Sequence, residues 1–189
     1  MDVDLRKALE DAIDLLEEAG VAYALIGGLA ASLRGIIRVT EDVDVVLACD
    51  VDEALSVLGS VSSSDGPFTP FLKDPEEVVR AAYLLPLMHQ PTGVKVDLSV
   101  GLSGFERSAV DEADDVDLKG RTVRVAQPHH LIVMKLLADR PQDVQDIEGL
   151  IKADREPRAI DWDTVERLCG ELDAAIGTGL LARARRLRP

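Results

Sequence analysis

Asp42 and Asp44 stand one residue apart in "RVTEDVDVVL", at the head of an apolar run. Alternate residues of a strand share a face, so this spacing puts both carboxylates on one side with Cα atoms roughly 6–7 Å apart, and turns Val43 and Val45 the other way. Two anions so placed repel each other, and burial raises the cost, unless a cation lies between them. A hard divalent ion such as Mg²⁺ meets that need: it takes carboxylate oxygens and leaves positions for water and substrate phosphates, an arrangement suited to phosphoryl chemistry. The spacing alone is weak evidence in an acidic chain, because Asp-Val-Asp also occurs at residues 2–4 and 115–117. The copy at 42–44 differs in opening an apolar strand.

The neighbouring segments supply what such a strand needs. Upstream, "IGGLAASLRG" reads as a strand, the glycine pair Gly27 and Gly28, and a short helix whose N-terminal N–H groups can face a phosphate. Downstream, "VKVDLSV" places Asp97 on a second apolar strand, with Lys95 on the same face. The spacing of Leu5, Leu9, Ile13 and Leu16 predicts an amphipathic helix over residues 2–19. "VDEALSVLGS" reads as a helix, "SSSDGPF" as a loop, and "DPEEVVRAAY" as a helix with Asp74 as N-cap and Pro75 at its first position. "YLLPLMHQ" and "VKVDLSV" around "PTG" read as a hairpin, and Pro86 marks the first of them as an edge strand or a bulge. "VDLKGRTVRVAQ" repeats the strand-turn-strand pattern, and from Pro128 onward the chain is helical. The expected architecture is therefore α/β: a mixed sheet flanked by helices over residues 1–126, then a C-terminal helical region, 127–189, packed on that core.

Composition narrows the function. The chain has 189 residues and a formal charge of −14. Residues 1–126 carry 11 Lys and Arg against 24 Asp and Glu, whereas residues 127–189 carry 10 against 11. An acidic front disfavours unaided wrapping of nucleic acid, whose affinity comes largely from cations at phosphates. The tail "LLARARRLRP" is locally basic and reads either as a solvated helix end or as a phosphate or RNA contact. No stretch approaches the ~20 apolar residues of a bilayer span, and the acidic start lacks the features of a signal peptide, so no membrane association and a cytoplasmic location are expected. Cys49 and Cys169 fit no metal or disulfide framework and read as buried thiols. His129 and His130 lack a third ligand at zinc-like spacing; His129 reads as a surface residue and His130 as part of a helix N-terminus. A P-loop and a Gly-x-Ser-x-Gly elbow are both absent from the sequence.

Taken together, "IGGLAASLRGIIRVTEDVDVVL" resembles the opening signature of the polymerase-β-type nucleotidyltransferase superfamily: strand, Gly-Gly turn, helix, then Asp-x-Asp on the next strand. Asp97 fits the third carboxylate of that pattern. "HLIVMKLLADRPQDVQDIEGLI" is similar to the Lys…Asp-x-x-Asp segment of AbiEii-type toxin nucleotidyltransferases, with Lys135, Asp143 and Asp146 at the matching positions. Gln142 departs from it, standing where many relatives have a basic residue.

The resemblance implies a nucleotidyltransferase fold and two Mg²⁺ ions, with Mn²⁺ as an alternative, held by Asp42, Asp44 and Asp97. It implies transfer of a nucleoside monophosphate from an NTP to an acceptor hydroxyl. Gly27 and Gly28 would let the backbone approach the phosphates, Ser32 would add a hydroxyl, and Arg38 would either touch phosphate or balance nearby acids. Lys135 would meet the triphosphate, with Asp143 and Asp146 either orienting it or simply solvated. The toxin-like branch implies a tRNA 3′ end or a protein as acceptor, and an antitoxin-like partner. The alternative is a small cationic acceptor of the aminoglycoside kind, which the acidic front would attract. A nucleotide-binding module of the same fold without transfer is the non-enzymatic alternative.

Overall fold

Short extended runs, the central ones rich in Val and Leu, pair into one mixed sheet. In the computed structural model, which describes residues 1–63, 65–154 and 160–189, the strands are β1 (Tyr23–Ile26), β2 (Asp42–Leu47), β3 (Phe68–Pro70), β4 (Leu84–His89), β5 (Val94–Val100), β6 (Asp114–Leu118) and β7 (Arg121–Val125). Their order across the sheet is β3-β4-β5-β2-β1-β7-β6. β2 runs parallel to β5 and β1 parallel to β7, while the remaining neighbours are antiparallel. The helices are α1 (Val3–Glu18), α2 (Gly27–Leu33), α3 (Val51–Ser63), α4 (Pro75–Ala82), α5 (Gly104–Asp111), α6 (Pro128–Ala138), α7 (Pro141–Ala153), α8 (Trp162–Ile176) and α9 (Leu180–Leu187).

The chain divides into two units: Met1–Ala30 with Val39–Ala126, and Ala31–Arg38 with Gln127–Pro189. The first holds the whole sheet. Its central strands alternate so that Val43, Val45, Val96 and Leu98 are buried on one face, where α1 packs with Leu5, Leu9, Ile13 and Leu16 turned inward. On that side Asp11 of α1 bonds Nε2 of the fully buried His89 at 2.8 Å, and Thr92 bonds its Nδ1 at 2.7 Å. Burial pushes the Asp11 carboxyl up, but bonds from Lys7 and His89 outweigh it and hold it below the ordinary range. In the second unit α7, α8 and α9 each pack against α6, whose residues from Pro128 to Val133 are all buried.

Several local expectations change. Pro86 is not on an edge, since β4 lies between β3 and β5 and pairs with β5 in unbroken register. β3 pairs only with Leu87–His89, so the ladder has ended where the missing N–H would point, and the Pro86 carbonyl still accepts from Phe71 N–H at 2.9 Å. Asp74 does precede α4, but with φ 53° and without a side-chain capping bond among the described residues. Of the expected loop "SSSDGPF", Ser62 and Ser63 belong to α3, Phe68 opens β3, and Ser64 lies outside the described residues.

Candidate active site

The parallel pairing of β2 with β5 sets Asp42 opposite Lys95 and Asp44 opposite Asp97. Residues paired this way point to the same side, so three carboxylates and one ammonium share the face opposite α1. All four side chains are half-buried, because the intervening valines hold the strands in the core while this face stays open. Thr40 donates its hydroxyl to Asp42 Oδ1 at 2.9 Å, and Lys95 Nζ donates to Asp97 Oδ2 at 2.8 Å. The other oxygen of Asp97, Oδ1, is buried and has no hydrogen-bond partner among the described residues.

Gly27 fixes the approach of β1 to this group. It follows Ile26, which is paired with Asp44, and has φ +67°. A Cβ built there would collide with the Asp44 side chain, 2.6 Å from Cγ and 2.7 Å from Cβ. Only glycine suits both the backbone angle and the gap. Gly28 is buried next to it, and Ser32 sits half-buried on the last turn of α2.

The donor set fits a hard divalent cation. Carboxylate oxygens are the ligands such an ion prefers, and an Asp97 Oδ1 that is buried and unpartnered among the described residues is in a costly state that a cation would relieve.

In the helical unit a second charged group forms along α6 and α7. Lys135 Nζ lies 2.5 Å from Asp146 Oδ2 and 3.5 Å from Asp143 Oδ1, and Asp146 also accepts from Arg38. Arg140 donates Nε to Asp143 Oδ2 at 2.7 Å and its backbone N–H to the same oxygen at 3.1 Å. Burial pushes the Asp143 carboxyl up, yet these Arg140 bonds and the Arg140 and Lys135 charges hold it below the usual carboxylate range. Ile36 packs on Gly149, where a Cβ would come within 3.1 Å of it, so the backbone that carries Arg38 lies close against α7. Lys135, Asp143 and Asp146 are 5%, 1% and 5% exposed. Sequence left the two aspartates open between orienting Lys135 and solvation; they are buried and contact it.

Both histidines lie buried at the start of α6. His129 is buried, not at the surface as expected, and its ring stands 4.5 Å from that of His130. Burial, followed by the charges of His129 and Arg167, pushes the His130 imidazole down to about 3. Cys49 and Cys169 are buried thiols pushed up to about 11, chiefly by desolvation. The basic tail is largely engaged: Arg183 pairs with Asp139, while Arg185 and Arg188 bond Glu166 at 3.0 and 2.8 Å. The sequence reading missed the Lys95–Asp97 bond, although the period of two already put them on one face.

This mixed sheet with its surrounding helices has the nucleotidyltransferase fold. It is similar to an antigenic nucleotidyltransferase-like protein from Paracoccidioides brasiliensis, with a TM-score of 0.58 and 19% identity over 98% of this chain and 93% of that one. It is also similar to the antibiotic-resistance factor ANT(2″)-Ia, with a TM-score of 0.55 and 15% identity over 98% and 94% of the two chains. The lincosamide antibiotic adenylyltransferase LnuA, solved with lincomycin, gives a TM-score of 0.53 and 18% identity over 78% of this chain and 96% of that one. No curated protein matches the chain in sequence. Residues 4–179 match the family described as "Nucleotidyltransferase of unknown function (DUF6036)". The chain belongs to that family and is a nucleotidyltransferase by class.

Proposed function

We propose that this enzyme transfers a nucleoside monophosphate from an NTP to the hydroxyl of a small cationic acceptor, with Asp42, Asp44 and Asp97 as its catalytic set. The observation that carries the proposal is the register that aligns Asp44 with Asp97 beside Asp42, together with an Asp97 Oδ1 that is buried and unpartnered among the described residues. Two divalent ions, Mg²⁺ or Mn²⁺, held by Asp42, Asp44 and Asp97 would supply Lewis-acid stabilisation of the attacking and leaving oxygens. Asp97 helps to take the proton from the acceptor hydroxyl. The acceptor's hydroxyl oxygen forms a bond to the α-phosphorus, the bridging bond to the β-phosphate breaks, and its electron pair leaves with pyrophosphate. Gly27 and Gly28 bring backbone close to the phosphates, and Ser32 adds a hydroxyl. In the helical unit Lys135 and Arg38 serve phosphate recognition, with Asp143 and Asp146 orienting Lys135. That cluster supports the role by gathering three cations, Arg38, Lys135 and Arg140, around two carboxylates.

A cationic acceptor suits the excess of acids over bases in residues 1–126. The fold accommodates such chemistry, since a neighbour was solved with adenylyl-2″-tobramycin. A toxin-like reading, with a tRNA 3′ end or a protein as acceptor and an antitoxin-like partner, is favoured by the Lys135, Asp143 and Asp146 segment that resembles the AbiEii type. Incubation of the wild type and of Asp44→Asn with each α-labelled NTP, Mg²⁺ and aminoglycosides, total tRNA or lysate protein separates the readings. Label on the aminoglycosides, absent with Asp44→Asn, is the expected result. Label on tRNA or protein replaces the small acceptor with the toxin-like one, and label on none of them overturns transfer to these acceptor classes.

A further inference from the structure

Lys95 stands out because it makes an ion pair that a catalytic carboxylate would ordinarily be spared. Its ammonium bonds Asp97 Oδ2 at 2.8 Å and lies 5.5 Å from the centre of the Phe71 ring, a cation–π contact. Phe71 is in turn fastened to β4 by its N–H to the Pro86 carbonyl, and Pro86 is the β4 residue paired with Asp97. Lys95 is therefore braced from the β4 side, with its head group on one oxygen of Asp97 while the other stays buried and unpartnered among the described residues.

We infer that Lys95 is a positioning residue that fixes Asp97 in a one-oxygen presentation and sets the charge of the metal-binding face, an inference that rests on the nucleotidyltransferase reading above. With Oδ2 engaged, Asp97 offers a single oxygen, and its carboxylate plane is set by the ammonium. Three carboxylates and one ammonium leave a charge that one divalent cation balances before any nucleotide arrives. Without Lys95 the same face carries one more negative charge, holds cations more tightly, and leaves Asp97 free to rotate.

The test is calorimetric titration of Mn²⁺, without nucleotide, into wild type, Lys95→Met, Lys95→Arg and Phe71→Leu, together with steady-state kinetics. Lys95→Met is expected to bind Mn²⁺ roughly tenfold more tightly, the effect of removing one nearby charge that water screens almost as in bulk solvent. Its kcat falls while KM for the NTP holds. Lys95→Arg stays close to wild type, and Phe71→Leu, which changes only a half-exposed ring, shifts the same way by less. A role in folding alone would not tighten metal binding. Unchanged or weaker Mn²⁺ affinity in Lys95→Met overturns the inference while leaving the acids' assignment intact. No Mn²⁺ uptake by the wild type overturns that assignment and this inference together.

Discussion

Gly27 shows how narrowly the site is built at the level of single residues. Gly27→Ala must accept a left-handed backbone angle and move the Asp44 carboxylate out of the way. We expect a stability loss of about 1–3 kcal/mol, measured by urea denaturation, and a fall in turnover larger than that loss explains. Full activity in a stable Gly27→Ala protein would contradict the close approach. His130 gives a second prediction, about pH. Its folded-state pKa of about 3 lies below its ordinary value. The imidazole is neutral in the fold and protonates more readily in the unfolded chain, so its contribution is complete above the unfolded pKa and is lost as pH falls towards 3. Denaturation at pH 7 and pH 5 should differ by about 2 kcal/mol from this group, a difference that His130→Gln reduces. The shared face of Asp42 and Asp44 was legible in the sequence because a period of two decides it, whereas the place of Asp97 beside them depends on the β2–β5 register, which spacing does not give. The burial of Asp143 and Asp146 was not legible either, because a three-residue spacing on a helix says that two side chains are neighbours and leaves open which way they face.

At the scale of elements, α6 and α7 are joined by charge as much as by apolar packing. Lys135 reaches from α6 to two aspartates of α7, all three nearly removed from water. Lys135→Met leaves Asp146 to Arg38 and Asp143 to Arg140, with less buried positive charge to balance them. We expect a loss of about 3–5 kcal/mol, against a smaller loss for Arg38→Ala, whose side chain is more exposed. Equal stabilities of Lys135→Met and wild type in denaturant titrations would show that the pairing contributes nothing. The strongly periodic elements, from α1 to the β4–β5 hairpin, could be read directly from sequence. β3 could not: three residues ending in proline are too short to show alternation, and they pair only because β4 offers a free edge. α5 was overlooked although its signal was present, since Ser103 and Glu106 form a capping box at its start. With only Ala109 and Val110 buried, its apolar face is too brief to read as periodic.

For the molecule as a whole, charge is divided along the chain: an acidic stretch holds the sheet with α1 to α5, and a nearly balanced one holds α6 to α9. The tail arginines answer acids of their own unit, Arg183 at Asp139 and Arg185 and Arg188 at Glu166, which reduces what they offer an RNA. None of the helices, among the described residues, is long and apolar enough to cross a membrane. The central claim is that carboxylates from two neighbouring strands act together as one metal site. Its most direct test is calorimetric titration of Mg²⁺ into the wild type, Asp44→Asn and Asp97→Asn with a non-hydrolysable NTP analogue present. Saturable uptake by the wild type, severely weakened by either substitution, is expected. Identical uptake by all three proteins, or none by the wild type, would contradict it.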